Sequence, residues 1–293
     1  MTDAMEHQLS LVGERPASSV LERFQAIGLI RGEFFQRAAL ESISSPSVQR
    51  SLSEYLVWVA SAMGSRPVWY RTSDLWSDEG NCLQGSQKIE REKNPVIGLR
   101  GIRRSLALTD EFSLECAVLA TVQALHPNVR VQFPFISTVD EFEMAAKRAG
   151  HEGVQGPFGT MIETPAAALS VDELLDAGAC RLMVGLNDLS SLTLASERAS
   201  SFAGKLSRPL WDLIERVRAS AHARGCPVGV AGRMNPTLVS RALHTNLDFA
   251  SIHYSQAREV LDIEDHEWPD EQMELDVKVR TRDAIAAGQW QGV

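Results

Sequence analysis

Short apolar runs alternate with longer stretches of helical periodicity along almost the whole chain. Several of these runs are apolar at consecutive positions, which is typical of strands buried on both faces of a parallel sheet. Eight runs predict strands: Ala26–Ile30, Val68–Tyr70, Val96–Leu99, Val129–Phe135, Phe158–Ile162, Cys180–Val184, Pro227–Val230 and Leu247–Ile252. Strands that alternate eight times with helices favour a closed α/β barrel of the (βα)8, or TIM, type over an open sheet.

Helix signals lie between the predicted strands. In residues 110–126 apolar side chains recur every three or four positions and predict one buried stripe, formed by Leu114, Val118, Val122 and Leu125. Thr138 and Glu141 have the spacing of a capping box, which predicts a helix that begins there and ends before Gly150.

The two ends of the chain differ from its middle. Residues 1–20 are predicted to form a flexible N-terminal tail, and residues 21–262 to form the barrel. Residues 263–293 begin with acidic residues and continue with mixed charge, which predicts a C-terminal helical extension packed on the barrel or on a partner subunit. Because no repeat is present beyond the strand–helix period, a single domain is predicted.

The charge and the composition narrow the class of protein. The chain has 29 Lys and Arg against 38 Asp and Glu, a net charge of −9, which argues against a sequence-independent nucleic-acid binder. No run approaches the ~18 apolar residues of a membrane span, and the polar N-terminus lacks a secretory pattern. The four cysteines are scattered without a CxxC pair, which indicates reduced thiols. We therefore expect a cytoplasmic protein whose partner is neither nucleic acid nor membrane.

Charged residues follow the predicted strands at the end where TIM barrels carry their reacting groups. The residues at these positions are Arg31, Arg71, Arg100, Pro134, Glu163, Asn187, Asp188, Ala231, Arg233 and His253. Three guanidinium groups at one rim suit a multiply charged anion, because each can form two parallel hydrogen bonds. Glu163 and Asp188 suit a hard divalent cation that prefers oxygen ligands. A structural alternative stays open, in which Asp188 caps the following helix and Glu163 pairs with an arginine.

Five strings in chain order resemble the motifs of one family. They are Ile27-Gly-Leu-Ile-Arg31-Gly-Glu33-Phe, Tyr70-Arg71-Thr-Ser-Asp74, Asn94-Pro95-Val-Ile-Gly98-Leu-Arg100-Gly-Ile-Arg103, Met161-Ile-Glu163-Thr-Pro-Ala-Ala and Gly185-Leu-Asn187-Asp188-Leu-Ser-Ser-Leu-Thr-Leu-Ala-Ser-Glu-Arg198. The chain resembles the phosphoenolpyruvate/pyruvate-binding barrel of phosphoenolpyruvate synthase, pyruvate phosphate dikinase and the phosphotransferase-system Enzyme I. The resemblance runs from about residue 24 to residue 262.

The resemblance implies a role for each matching residue. Arg31 and Arg71 would be catalytic and, with Arg100, would bind the phosphate or the enolate oxygen of the substrate. Glu163 and Asp188 would hold Mg²⁺ or Mn²⁺. The substrate-binding set is extended by Gly185, Leu186, Asn187 and Arg198.

His253, at the end of the eighth predicted strand, is a candidate acid or base, because the ordinary pKa of histidine lies near neutrality. A histidine held by hydrogen bonds in the barrel rim is the plainer interpretation of the same residue.

The chain departs from the family after the seventh predicted strand. Relatives carry there a Cys that protonates the enolate carbon, whereas this chain has Ala231, followed two residues later by Arg233. Because an alanine methyl donates no proton, an enolate could instead attack another electrophile or be released by carbon–carbon cleavage. Arg233 would add positive charge for a larger, anionic acceptor. We therefore expect lyase or aldol chemistry on a pyruvate-type 2-oxo acid.

Two alternatives to this function remain open. The sequence resembles the barrel alone, without the family's ATP-binding and phosphohistidine domains, so the chain could transfer phosphoryl groups with separately encoded partners. It could also be a non-catalytic module that binds phosphoenolpyruvate or pyruvate. Because family members pair their barrels, the resemblance also implies a homodimer.

Overall fold

Eight parallel strands form a closed barrel in sequential order in the computed structural model, which describes residues 5–197, 204–261 and 272–289. The strands are β1 (Glu6–Leu11), β2 (Ala26–Arg31), β3 (Val68–Arg71), β4 (Val129–Ile136), β5 (Gly159–Ile162), β6 (Leu182–Gly185), β7 (Val228–Gly232) and β8 (Phe249–His253). The first strand pairs with both β2 and β8, which closes the barrel. The predicted (βα)8 fold is confirmed.

Helices connect the strands and surround the barrel. They are α1 (Ser18–Leu21), α2 (Glu33–Ala39), α3 (Pro46–Met63), α4 (Ser77–Cys82), α5 (Gly101–Ala107), α6 (Thr109–Leu125), α7 (Val139–His151), α8 (Pro165–Leu169), α9 (Val171–Asp176), α10 (Leu186–Thr193), α11 (Arg208–Ala223), α12 (Pro236–His244), α13 (Tyr254–Leu261) and α14 (Gln272–Gln289). Thr138 caps α7 in the predicted capping box with Glu141. None of the helices within the described ranges is both long and apolar enough to cross a membrane.

The third predicted strand and the predicted tail are both wrong. The run Val96–Leu99 is not a strand, and a single 3-10 turn covers Pro95–Ile97. The missing strand is β1, inside the segment assigned to a flexible tail. Its side chains alternate, with Leu9 and Leu11 in the core between strands and helices. Gln8 and Ser10, on the opposite face of the strand, therefore face the barrel interior, and their polarity removes the apolar run that would have indicated a strand.

The predicted stripe of α6 is also displaced. Leu125 is 70% exposed, and Leu114 and Val118 are only half-buried. The buried face instead contains the apolar side chains of Phe112, Cys116, Leu119 and Val122, and it includes the carboxylate of Glu115. Because the buried face of α6 mixes polar and apolar residues, the spacing of the apolar residues alone indicates the wrong face of the helix.

The side chain of Arg181, just before β6, is buried inside the barrel. Arg181 donates to Gln8 and Gln132, each at 2.7 Å, and its guanidinium lies between the rings of Trp69 and Phe249. Burial lowers the pKa of Arg181 to about 9. This interior network explains why β1 and β4 carry glutamine where the sequence pattern expects apolar residues.

The C-terminal extension is helical, as predicted, in its described part. Helix α14 packs against α2 and α4. Val277 of α14 contacts an apolar cluster that contains Val12 and Phe34. Of the predicted extension, residues 263–271 and 290–293 lie outside the described residues.

Candidate active site

The carboxyl ends of the strands meet at one rim of the barrel, called the mouth below. Arg31 and Arg71 are the last residues of β2 and β3 and are direct neighbours in the strand register. Glu163 follows β5 immediately, and Gly185 ends β6. Charged residues that are far apart in sequence therefore meet at the mouth, as the strand-end rule predicts.

Arg71 is buried among three carboxylates. Its guanidinium lies 2.5 Å from Glu33, 3.5 Å from Asp74 and 4.0 Å from Glu163, measured between nitrogen and oxygen. Burial by itself lowers the pKa of Arg71, but the charges of the three carboxylates outweigh this effect and raise it. Arg71 is therefore a fixed positive charge at the mouth.

Arg100 is fully buried at the N-terminus of α5. Its Nε and Nη2 atoms donate to the two carboxylate oxygens of Asp74 at 3.0 and 2.7 Å, and Nη1 lies 3.3 Å from Oδ1 of Asp188. The guanidinium also lies over the ring of Phe135, 4.0 Å from its centroid. A two-point ion pair and an aromatic face together fix the plane of the guanidinium.

The carboxylate of Glu163 is held from two sides. Phe135 adopts a φ of 54°, and its N–H donates to Oε2 of Glu163 at 2.9 Å. A Cβ on Gly185 would lie 2.5 Å from Cγ of Glu163, so the close approach requires glycine. Burial, and then the negative charge of Asp188, raise the pKa of Glu163 to about 7 against the charge of Arg71. The negative charge of Asp188 therefore disfavours ionisation of Glu163.

Asp188 lies in the first turn of α10 and does not cap that helix. The N-cap residue is Gly185, without a side-chain cap, so the capping alternative for Asp188 is wrong. The pairing of Glu163 with an arginine, the other part of that alternative, has support because Glu163 lies 4.0 Å from Arg71. Leu186 is fully buried and Asn187 is half-buried. Gly232 packs beside them: a Cβ there would lie 3.6 Å from Oδ1 of Asn187.

His253 and Arg31 complete the rim. His253 is buried at the end of β8, where Nδ1 accepts the N–H of Ser255 at 3.2 Å and lies 2.9 Å from its hydroxyl. This contact leaves the proton of a neutral ring on Nε2. Arg31 is half-buried, with its guanidinium 5.5 Å from the ring centroid of Phe34.

Arg233 and Ala231 lie outside the cluster of arginines and carboxylates at the mouth. Arg233 is exposed and lines a cleft of about 510 Å³. The methyl group of Ala231 is buried in the barrel interior, in a small apolar cluster that contains Met161 and Met183. Arg198 lies outside the described residues.

Sequence reasoning missed two acidic residues of the cluster, Asp74 and Glu33. Each follows an arginine by two or three positions, Glu33 after Arg31 and Asp74 after Arg71, within the strings quoted above. Their role emerges only from the fold, because Glu33 binds the arginine of the neighbouring strand and Asp74 binds Arg100 across a loop.

A further buried carboxylate, that of Glu115, supports the segments behind the cluster. Glu115 accepts hydrogen bonds from the hydroxyl of Tyr70 at 2.6 Å and from the N–H and hydroxyl of Ser73, each at 2.9 Å. Burial raises the pKa of Glu115 to about 7, although these hydrogen bonds oppose the rise. Because Ser73 stands between Arg71 and Asp74, Glu115 helps to fix both side chains.

The charged cluster fits a divalent cation by the chemistry of its donors. Four carboxylates and three guanidinium groups meet at the mouth, those of Glu33, Asp74, Glu163 and Asp188 and of Arg31, Arg71 and Arg100. Glu163 and Asp188 are hard oxygen donors that repel each other, and a cation between them relieves the repulsion. In the described segments, no group of three His, Cys, Asp or Glu side chains is arranged as a metal site.

A family model described as "PEP-utilising enzyme, PEP-binding domain" matches residues 14–266, and the chain belongs to this family. A probable phosphoenolpyruvate synthase of Methanocaldococcus jannaschii is 28% identical over 82% of this chain and 22% of its own length. The phosphoenolpyruvate synthase of Pyrococcus furiosus is 30% identical over 67% of this chain and 25% of its own length. The phosphoenolpyruvate-protein phosphotransferase of Enterococcus faecalis is 30% identical over 76% of this chain and 41% of its own length. The chain thus spans about a quarter of the two synthases that it matches.

Solved structures share the fold. An HpcH/HpaI aldolase/citrate lyase family protein from Burkholderia cenocepacia superimposes with a TM-score of 0.52 at 12% identity, over 86% of this chain and 88% of that protein. An HpcH/HpaI aldolase from Desulfitobacterium hafniense gives a TM-score of 0.51 at 13% identity, over 85% of this chain and 86% of that protein. At this level of identity the likeness establishes the barrel architecture alone.

Proposed function

We propose that the chain binds a pyruvate-type 2-oxo acid together with Mg²⁺ or Mn²⁺ and stabilises its enolate. The observation that carries the proposal is that the buried carboxylates of Glu163 and Asp188 face the guanidinium groups of Arg71 and Arg100, at 4.0 and 3.3 Å. Membership of the family that binds phosphoenolpyruvate supports the same class of ligand.

The arginines would bind the oxygen atoms of the substrate. Arg71 and Arg100 are already oriented by Glu33 and Asp74, so little reorganisation accompanies the development of negative charge on the substrate. Preorganised donors of this kind contribute ~2.7–4 kcal/mol each to transition-state stabilisation. When bound at Glu163 and Asp188, the cation supplies Lewis-acid stabilisation of the enolate oxygen.

We further propose that the enolate reacts at carbon, in lyase or aldol chemistry. The methyl group of Ala231 donates no proton, and its neighbours Met161 and Met183 are apolar. His253 can exchange a proton through Nε2, since Nδ1 accepts from Ser255. An enolate that no side chain protonates at carbon, and that takes up deuterium only slowly from solvent, can attack a carbonyl carbon or can leave a longer substrate by the reverse step.

The direct test is deuterium exchange at the pyruvate methyl group, followed by proton NMR in D₂O. Wild-type protein should catalyse exchange only with Mg²⁺ or Mn²⁺ present, and Glu163→Gln should abolish it. Glu173→Gln, an exposed change of the same kind in α9, serves as the matched control. Wild-type exchange no faster than in buffer would contradict the proposal.

Phosphoryl transfer is the second candidate, favoured by the similarity to phosphoenolpyruvate synthases that are about four times as long as the matched region. A chain that is inactive alone, but forms phosphoenolpyruvate when ATP-binding and phosphohistidine proteins are added, would support this function. Tight binding of phosphoenolpyruvate without exchange or turnover would instead indicate a binding module.

A further inference from the structure

A cleft of about 510 Å³ opens where the segments that follow β6, β7 and β8 meet. Lys205 precedes α11, Arg233 directly follows β7, and Gln256 lies in α13 after β8. All three segments leave the carboxyl ends of their strands, so the cleft is on the same side of the barrel as the charged cluster.

The backbone at Arg233 is held in place from two sides. Gln256 accepts the N–H of Met234 at 3.0 Å, and the ammonium of Lys205 donates to the carbonyl oxygen of Arg233 at 3.4 Å. Met234 itself is fully buried. The backbone is therefore anchored while the side chain of Arg233 stays exposed at the cleft.

The lining of the cleft combines positive charge with an apolar wall. Lys205 and Arg233 are its cations and Glu259 its one carboxylate among the described lining residues, in a chain whose net charge is −9. Leu206 and Leu238 supply apolar surface. A guanidinium beside an ammonium suits a carboxylate or phosphate group, and the apolar wall suits a short carbon chain.

The cleft adjoins the charged cluster through Gly232. A Cβ at this glycine would lie 3.3 Å from Cβ of Leu186 and 3.6 Å from Oδ1 of Asn187, the residue before Asp188. Arg233 is the next residue along the chain. The proposal below therefore requires a ligand that extends from the enolate site past Gly232 to Arg233.

We propose that the cleft binds the anionic end of a second substrate, an aldehyde that carries a carboxylate or phosphate group at its far end. This inference rests on the proposed enolate chemistry. The methylene carbon of the enolate attacks the aldehyde carbon and a carbon–carbon bond forms. The electron pair of the carbonyl bond moves to oxygen, which takes up the proton that the pyruvate methyl group gave up. The product is a 4-hydroxy-2-oxo acid, and Arg233 and Lys205 bind its distal anionic group.

The test compares three aldehydes with pyruvate and Mg²⁺: succinic semialdehyde, glyceraldehyde 3-phosphate and the uncharged butyraldehyde. At least one charged aldehyde should be preferred in kcat/KM by roughly 10- to 100-fold, as expected for hydrogen bonds to a charged group. The two charged aldehydes distinguish carboxylate from phosphate. Arg233→Met should remove most of this preference through KM, and Arg233→Lys should retain part of it.

Arg216→Met, an exposed change on α11, is the matched control and should keep the preference. Equal kcat/KM values for charged and uncharged aldehydes would overturn the proposal, as would a preference that survives Arg233→Met. Methyl exchange without turnover of any aldehyde would also overturn it while leaving the enolate function intact. Absence of exchange in wild-type protein would remove the proposed function itself, and the role of the cleft with it.

Discussion

The guanidinium of Arg100 binds both carboxylate oxygens of Asp74, with nitrogen–oxygen distances of 3.0 and 2.7 Å. Both side chains are buried, and Asp74 also lies 3.5 Å from Arg71. Asp74 therefore orients two of the guanidinium groups that would bind a substrate anion, and it must share them with that anion when the anion arrives.

Replacing Asp74 should destabilise the fold. Asp74→Asn leaves the charge of Arg100 buried with weaker compensation, and breaking a buried ion pair costs about 3–5 kcal/mol of unfolding free energy. Urea denaturation of the variant measures this loss. Asp212→Asn removes the exposed partner of Arg208 and should cost less than about 1 kcal/mol. Equally small losses at both sites would show that the Asp74–Arg100 pair is not buried as described.

Glu115 should make stability depend on pH. Its pKa is about 7 in the folded chain against the usual 4.5, so between these values the folded state keeps a proton that the unfolded state has lost. The stabilising contribution is complete below pH 4.5 and is lost as the pH rises through 7, by up to ~3 kcal/mol. Glu115→Gln should flatten the dependence of Tm on pH over this window.

Tyr70→Phe is the companion variant for Glu115, because it removes the hydroxyl that donates to the carboxylate at 2.6 Å. Since that bond favours the ionised carboxylate, its loss should raise the pKa of Glu115 further, which deepens the fall in stability and extends it to higher pH. A Tm profile of Glu115→Gln that matches wild type would refute the assigned pKa.

A thiol at position 231 should add a side-chain proton donor and accelerate proton transfer to carbon. Ala231→Cys places a thiol beside Met161 and Met183, where apolar surroundings keep it protonated. We expect faster deuterium exchange at the pyruvate methyl group than in wild type. Ala231→Ser, which is similar in size, controls for the effect of volume. No increase with cysteine would leave the position without a role in protonation.

The alternation of apolar runs and helices was sufficient to predict the barrel, but not the identity of every strand. β1 was overlooked because its inward positions carry Gln8, which serves the buried Arg181, rather than an apolar residue. Val96–Leu99 was mistaken for a strand because an apolar run in a loop has the same local pattern as a short buried strand.

The strand-end rule located Arg71, Glu163 and Asp188, because topology alone brings these positions to one rim. It missed Asp74 and Glu115, whose roles depend on loop and helix packing that no local period encodes. It placed Arg233 at the same end of the barrel as the charged cluster, and the fold shows that its side chain lines a separate cleft.

Glu163 and Asp188 are proposed to hold a divalent cation that helps to bind a 2-oxo acid. Calorimetric titration of oxalate, an enolate mimic, with and without Mn²⁺ tests it most directly. Wild-type protein should bind oxalate tightly only with Mn²⁺, and the double variant Glu163→Gln/Asp188→Asn should lose that binding. Asp140→Asn/Glu173→Gln, at exposed acidic positions, should behave as wild type. Oxalate binding that is indifferent to Mn²⁺, or unchanged in the double variant, would contradict the account.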